Sequence, residues 1–499
     1  MKTTLSDTLK RAAGLILSAV TAFLVMSSCG EAQDAPAAGT AAAVTEAAPG
    51  ETAEAESTRE PLDVPAADYG GYEFRVLARL DDIYWVTEDV WTETQNGEPV
   101  NDAVYRRNSR ISEKLGVNIT QHLESDVRGS ATKAVRSGDD EFGAFLGTLN
   151  DVAALAGDGG LIDLYEVPHI DVEKPWWDTS SARDFSIGGR LYGAMGDINT
   201  TDNKATWVVF LNKTIANDFG LENHYDLVAD GKWTLEAMRQ NCLAVTGDTN
   251  GDQVLTPEDR WGAVNQYECV RAFLSSSGGY TVKKDDKDIP YLTLGEKSIT
   301  DLLVNILAFE MDDMAQIRAD DFNGKYDNIW TEVNVNGFLY GRALYYISPL
   351  TSIAFFREME NDMGILIMPK NDESQAEYHT TLQYNTATAY MVPMTSTDVE
   401  RTGVILETMA YESNELTDAY YEITLKRKYA TDEESADQLD LCFANRVVDL
   451  GLMFDWGGMS TAIFDELPKG KKDYATLLSS KEKSILKAME KTLAQFDLG

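Results

Sequence analysis

The chain has 499 residues, is 43% hydrophobic and 10% aromatic, and carries a formal net charge of -39. A surface this anionic repels phosphate backbones, which argues against a nucleic-acid-binding role. About 430 residues lie beyond the polar N-terminal region, enough for two large folded lobes.

The front end reads as an export signal. Lys2, Lys10 and Arg11 form a basic patch, and residues 12–26 are apolar but short for a membrane-spanning helix. Met26-Ser27-Ser28-Cys29-Gly30 resembles a bacterial lipobox. That resemblance implies removal of residues 1–28, acylation of Cys29, and anchoring to the outer face of the cell membrane. Residues 29–68 are expected to form a tether. Its stretch from Gly30 to Glu60 is rich in Ala, Glu, Thr and Pro, lacks aromatic residues, and cannot bury enough apolar surface to fold.

Beyond the tether, apolar periodicity alternates between strand and helix. Residues 72–78 read as a first strand, and residues 104–115 as a helix closed by Gly116. Strands are expected at 117–121 and 142–149, with helices at 126–137 and 151–156. Trp207 to Leu211 is a continuous apolar run, short enough for a strand buried on both faces. A helix follows from Lys213, and Thr234 is placed to cap another. Further on, helices are expected at 301–311, capped by Thr300, and at 352–359. Strands are expected at 341–347, 364–368 and 387–392, and residues from 401 onward are mostly helical. This alternation predicts an α/β fold with largely parallel sheets.

Residues 188–262 carry a family resemblance. GGRLYG, then the apolar run ending in Leu211-Asn212-Lys213, then Trp233-Thr234-Leu235-Glu236 are similar, in order and spacing, to motifs of the maltodextrin-binding-protein-like solute receptors of carbohydrate ABC importers. The resemblance implies a two-lobed, type II periplasmic-binding-protein-like fold, each lobe a mostly parallel sheet flanked by helices. It implies crossings between lobes near residues 193–205, 337–346 and 385–394. The first lobe would then hold residues 70–195 and 345–388, and the second residues 205–338 and 394–499. It also implies a monomeric receptor for a small solute, a sugar, that closes about a hinge and docks on the transmembrane subunits of a permease. Presenting ligand to a sensor kinase, or holding surface polysaccharide, is the alternative within the same fold.

A sugar offers apolar faces and many hydroxyls, so its site needs flat aromatic platforms and fixed polar groups on loops after strands. Asp81, Asp82, Tyr84 and Trp85 meet this description after the first strand. Trp176 and Trp177 do so before the first crossing, and Asp197 and Asn199 lie within it. Trp330 and Trp456 sit in Gly/Asn/Asp-rich loops, and Tyr384 and Asn385 at the third crossing. Trp207 and Trp233 are read as core.

Asp248, Asn250, Asp252 and the carbonyl of Val254, with Asp259 at the twelfth position, have the spacing of an oxygen-lined calcium loop. A structural Ca2+ is expected there, although Gln253 replaces the usual turn glycine and Thr256 could instead cap a short helix. Cys242, Cys269 and Cys442 lie in apolar surroundings. Their odd number points to buried thiols, with a Cys242–Cys269 bridge left open. No nucleophile motif, phosphate-cradling loop or zinc spacing is present, so an enzyme is not expected. A two-carboxylate glycoside hydrolase or lyase is the one enzymatic rival.

Overall fold

The apolar runs become the strands of two sheets. The computed structural model describes residues 59–80, 87–421 and 432–498. In chain order the strands are β1 (Tyr72–Arg79), β2 (Val117–Glu124), β3 (Ala144–Thr148), β4 (Trp207–Asn212), β5 (Trp261–Asn265), β6 (Val282–Lys284), β7 (Pro290–Leu292), β8 (Gln316–Arg318), β9 (Ala343–Pro349), β10 (Met363–Leu366), β11 (Thr380–Thr381), β12 (Thr388–Met391) and β13 (Arg446–Val447). One sheet has the order β12-β3-β1-β2, the other β10-β4-β9-β5-β8. The sheets are mixed rather than mostly parallel. β1 runs parallel to β2 and β3, while β12 is antiparallel to β3, with Thr388 opposite Thr148. β5 runs parallel to β8 and β9, while β4 is antiparallel to β9 and β10, with Trp207 opposite Pro349.

The helices that matter below are α1 (Pro99–Leu115), α2 (Val127–Ser137), α3 (Leu149–Gly157), α4 (Leu235–Val245), α5 (Cys269–Ser276), α6 (Lys297–Glu310), α7 (Val399–Tyr411), α8 (Glu433–Ala444) and α9 (Tyr474–Gln495). Their ends follow from local chemistry. α1 buries Val104, Ile111 and Leu115 at helical spacing and stops where Gly116 takes a left-handed φ of 60°. Thr148 and Asp151 form a reciprocal capping box on α3. Thr234 accepts from the Ala237 N–H and caps α4. α6 begins one turn earlier than its sequence suggests, with Glu296 rather than Thr300 at the cap position; Lys297 pairs with Asp301 across the added turn. Residues 350–356 wind as a 3-10 segment where an α-helix was expected.

Two features of the expected topology differ. The crossing anticipated near 337–346 does not occur. β9 and β10 both hydrogen-bond to β4, so residues 343–366 remain in the five-stranded sheet. Their near-continuous burial, mistaken for a passage between lobes, is that of a central strand. The C-terminal region does not belong to one lobe either. α7 packs on α1 beside the four-stranded sheet, α8 packs on β10, and α9 touches α3. The described residues show the chain passing between sheets at 194–206 and again at 382–390. These two passages lie side by side through the Ala194–Tyr390 and Thr206–Leu382 bridges. β11 adds β13 as a third neighbour.

All three described cysteines are free and buried, so Cys242 and Cys269 do not pair. Pro61–Gly499 closes as one compact unit. Among the described residues no helix is long and apolar enough to cross a membrane. Cys29 and the leader lie outside the described residues.

Candidate functional site

Strand ends in both sheets deliver side chains to one place. β3 ends just before Asn150 and Ala154, β5 just before Gln266 and Glu268, and β9 just before Thr351. The antiparallel strand β4 brings its start, Trp207, to the same edge, because Trp207 pairs with the last residue of β9. Ligand crevices in α/β sheets form at such carboxyl ends.

A cavity of about 450 Å³ lies there. Arg128, Asn150 and Ala154 line it from the four-stranded sheet, and Trp207, Glu268 and Arg271 from the five-stranded sheet. Residues 381–385 and 452–455 complete the wall. A second cavity of about 280 Å³ lies beside the five-stranded sheet, walled by Cys269, Trp330, Tyr346, Ile347, Pro349 and Phe355. Trp207, Glu268 and Gln383 line both, so the two adjoin. A third cavity of about 410 Å³ meets the first at Glu268, Arg271 and Thr461 and adds Asp320, Asp465 and Lys469.

The charges in this crevice are already engaged. Glu268 accepts from Arg271 Nη2 at 2.9 Å and from Gln383 Nε2 at 3.1 Å. Arg271 also lies 3.6 Å from Asp465. Burial pushes the Asp465 carboxyl up to about 6, with Arg271 opposing and Glu268 and Asp320 adding to the rise. Arg128 pairs with Asp151 at 3.0 Å. The Asn150 amide donates to the Met453 carbonyl at 2.7 Å, bracing the two walls of the first cavity. The rest of the lining is aromatic faces and side-chain amides, those of Gln266, Asn328, Gln383 and Asn385. Such a surface suits an uncharged, hydroxyl-rich ligand.

Comparison with protein-family models and with curated proteins gives no match. Among solved structures the chain is similar to an ABC substrate-binding protein from Listeria monocytogenes in complex with cycloalternan, at a TM-score of 0.55 and 13% identity, over 84% of this chain and 99% of that one. The fold is the two-lobed one of solute-binding proteins. The chain is similar in the same way to UgpB from Mycobacterium tuberculosis in complex with glycerophosphocholine (TM-score 0.52, 14% identity, 85% of this chain and 99% of that one). A cyclo/maltodextrin-binding protein complexed with maltotetraose is a third (TM-score 0.51, 14% identity, 84% and 97%). The four-stranded sheet and its helices are thus one lobe, the five-stranded sheet the other, and the crevice lies between them.

Of the residues singled out in the sequence, Tyr384 and Asn385 line the first cavity and Trp330 the second. Trp330 meets Phe355 edge-on, with ring centres 5.1 Å apart. The Tyr384 hydroxyl accepts from the Asp449 N–H at 2.9 Å, and burial raises its pKa, with Asp449 adding to the effect. Asp81, Asp82, Tyr84 and Trp85 lie outside the described residues.

Five others line none of these cavities. Trp176 and Trp177 are 1% and 5% exposed, and both indole N–H groups donate to Glu407, at 2.9 and 2.8 Å. They are a clamp on α7, not a platform for ligand. Asp197 accepts from the Thr417 hydroxyl at 2.8 Å. Asn199 is buried and donates to the Thr388 carbonyl at 2.8 Å, tying the two passages between lobes together. Trp456 is buried, donates to Thr492 at 2.9 Å, and stacks behind Phe454, which does line the first cavity.

Sequence reasoning missed Trp207, Glu268, Arg271 and Gln383. Trp207 is only 5% exposed, yet it forms a wall shared by two cavities. Its position as first residue of an apolar strand, directly after a passage between lobes, was the available signal.

The calcium loop closes on itself. Asp248 accepts from the backbone N–H groups of Asn250, Gly251 and Gln253, and Gln253 takes the left-handed φ of 67° that a glycine would supply. Asp252 accepts from the Val254 N–H at 2.8 Å. Asp259 is fully buried, and its oxygens accept from Thr249 and Thr256, one oxygen each, so it braces the loop. Residues 257–259 form no helix. Among the described residues no group of three Asp, Glu, His or Cys side chains is placed to hold a metal.

A buried charge cluster sits at the passages. Arg446 pairs with Asp178 at 2.9 Å and with Asp202 at 3.2 Å. Burial lifts the Asp202 carboxyl to about 6, with Arg446 opposing and Asp178 adding.

Proposed function

We propose that the protein is an extracytoplasmic receptor that binds an uncharged oligosaccharide between its lobes, closes on it, and delivers it to an ABC permease. Acylated Cys29 would hold it at the membrane. The observation that carries this reading is the crevice itself. Arg271 is paired with Glu268 and Arg128 with Asp151, and the lining between them is aromatic faces and side-chain amides. A ligand touching both walls favours the closed arrangement over the open one by the difference in its contacts. Among the described residues nothing lining the crevice is arranged as a nucleophile with a base, and Glu268 is committed to Arg271 and Gln383, which supports binding over hydrolysis.

Thermal unfolding against a panel of neutral, uronic and amino oligosaccharides tests this, with chromatography of the recovered sugar. A neutral oligosaccharide should raise the melting temperature saturably by mass action and come back intact. Cleaved sugar would move the assignment to a hydrolase. No shift with any sugar would remove the carbohydrate reading altogether.

A further inference from the structure

The second cavity differs in chemistry from the first. Its volume of about 280 Å³ is that of about nine waters at ~30 Å³ each, room for one substituted sugar ring and not for a chain. The buried end of β9, from Tyr346 to Pro349, lines it together with the rings of Trp207, Trp330 and Phe355. Among the described residues no lysine, arginine or histidine lines it, and its Glu268 is already bonded to Arg271 and Gln383. One buried polar group of this lining is left over. The Tyr346 ring is fixed by Phe210, Phe338 and Phe356, at 5.9, 6.1 and 5.8 Å between ring centres. Its hydroxyl is buried and has no hydrogen-bond partner among the described residues. Ser348 and Ser352, further along the same lining, bond to each other at 2.7 Å instead. Burial pushes the Tyr346 pKa up to about 12, with Ser348, Ser352 and Trp330 opposing, so the hydroxyl keeps its proton at neutral pH and can donate it. A buried donor without a partner is costly, and a ligand that supplies the missing acceptor recovers that cost.

We propose that the second cavity is an acetamido subsite, so that the sugar ring bound there is an N-acetylated aminosugar. The acetyl carbonyl accepts from the Tyr346 hydroxyl, the methyl group lies among Trp330, Phe355 and Ile347, and the amide N–H faces the part-exposed Gln266 side chain. This rests on the reading that the crevice binds an oligosaccharide, and it narrows the class. The lining itself selects the group. An unsubstituted ring carries hydroxyls at most of its carbons, and each one buried beyond the single free partner goes unpaired, which weakens binding about tenfold or more. A purely apolar substituent leaves the Tyr346 hydroxyl as it is. A uronic carboxylate meets no basic side chain, and a free amino group meets only a carboxylate that Arg271 already holds. An acetamido group brings one acceptor, one donor and one methyl group, which matches one buried donor, a half-exposed amide and an apolar wall.

The test is isothermal titration of the protein with matched sugars that differ only in the substituent beside the anomeric carbon. The pairs are N-acetylglucosamine and glucose, N-acetylgalactosamine and galactose, and N-acetylmannosamine and mannose, with linear β-linked trimers of the first pair. In at least one pair the acetylated sugar should bind about tenfold tighter than its match, or more. Tyr346→Phe should lower the affinity for that acetylated sugar about tenfold and leave its match unchanged. The melting temperature of the variant without ligand should not fall, because the hydroxyl bonds nothing in the fold. A preference that survives Tyr346→Phe would overturn the assignment, and so would a lower melting temperature in that variant. Equal affinity within every pair would overturn it as well, as would binding of a neutral sugar from the wider panel with no acetylated sugar bound; in both cases the receptor reading stands. Failure of every sugar, in these pairs and in the panel, would instead remove the carbohydrate reading and the subsite with it.

Discussion

Replacing Glu310 by glutamine should stabilise the protein at neutral pH. Glu310 ends α6, has no exposed surface, and accepts from the Asn265 amide at 3.0 Å through one oxygen. Its other oxygen and the Asn265 carbonyl oxygen have no hydrogen-bond partner among the described residues. Burial pushes the carboxyl from its ordinary 4.5 up to about 8, although Arg318, Gln316 and Asn265 pull it down. A raised folded-state pKa means that the folded chain keeps a proton that the unfolded chain releases. The contribution to stability is therefore full below pH 4.5 and is lost progressively as pH rises toward 8. At pH 7 the deficit is about 3 kcal/mol. Glutamine holds no titrating proton, keeps an oxygen for Asn265, and offers an N–H to the unpartnered acceptor beside it. Chemical denaturation of Glu310→Gln and parent at several pH values from 4.5 to 8 gives the measurement. The curves should meet near pH 4.5 and stand about 3 kcal/mol apart at pH 7. Identical pH dependence in the two proteins would mean that Glu310 is ionised in the fold, and the burial argument would fail. Asn265 precedes Gln266 at the crevice, so the pair fixes the strand end that delivers that wall.

The shared-wall role of Trp207 and the clamp role of Trp176 predict opposite readouts. Trp207→Ala should weaken binding of the oligosaccharide that raises the melting temperature in the panel by about 1–3 kcal/mol in isothermal titration. Trp176→Phe should leave that affinity alone but lower stability by about 1–3 kcal/mol, because it removes one donor from buried Glu407; the reverse pattern would place the crevice elsewhere. At the loop of Asp248 to Asp259, chelator or added Ca2+ should leave the melting temperature unchanged, since Asp259 is fully engaged by Thr249 and Thr256. A calcium-dependent rise abolished by Asp248→Asn would reverse that conclusion.

The elements that sequence located well are those whose signals are local. The cap at Thr234, the stop at Gly116 and the buried run beginning at Trp207 each depend on neighbours within a turn or two. What it placed poorly depends on partners far along the chain. Two adjacent tryptophans in a polar segment look like a ligand platform until Glu407, some 230 residues later, is found beneath both. The run at 343–347 reads equally well as a passage between lobes or as a central strand, and only its pairing with β4 and β5 decides. Glu268 and Arg271 look like ordinary charges at a helix start. Their value to the site comes from Gln383, which reaches Glu268 from the second passage while Arg271 holds the other carboxylate oxygen.

The pairing of the two passages has a mechanical consequence. Because residues 194–206 and 382–390 are bridged at both ends and tied across the middle by Asn199 and Thr388, they behave as one ribbon rather than as two independent linkers. A single flexible strand would let one lobe swivel about it in any direction. A two-stranded ribbon resists twisting and in-plane shear, and bends easily only about the axis lying across both strands. The ribbon thus favours bending of the lobes about that axis, and the C-terminal region, with α7 beside the four-stranded sheet and α8 on β10, adds a further link across the crevice that such bending must carry with it.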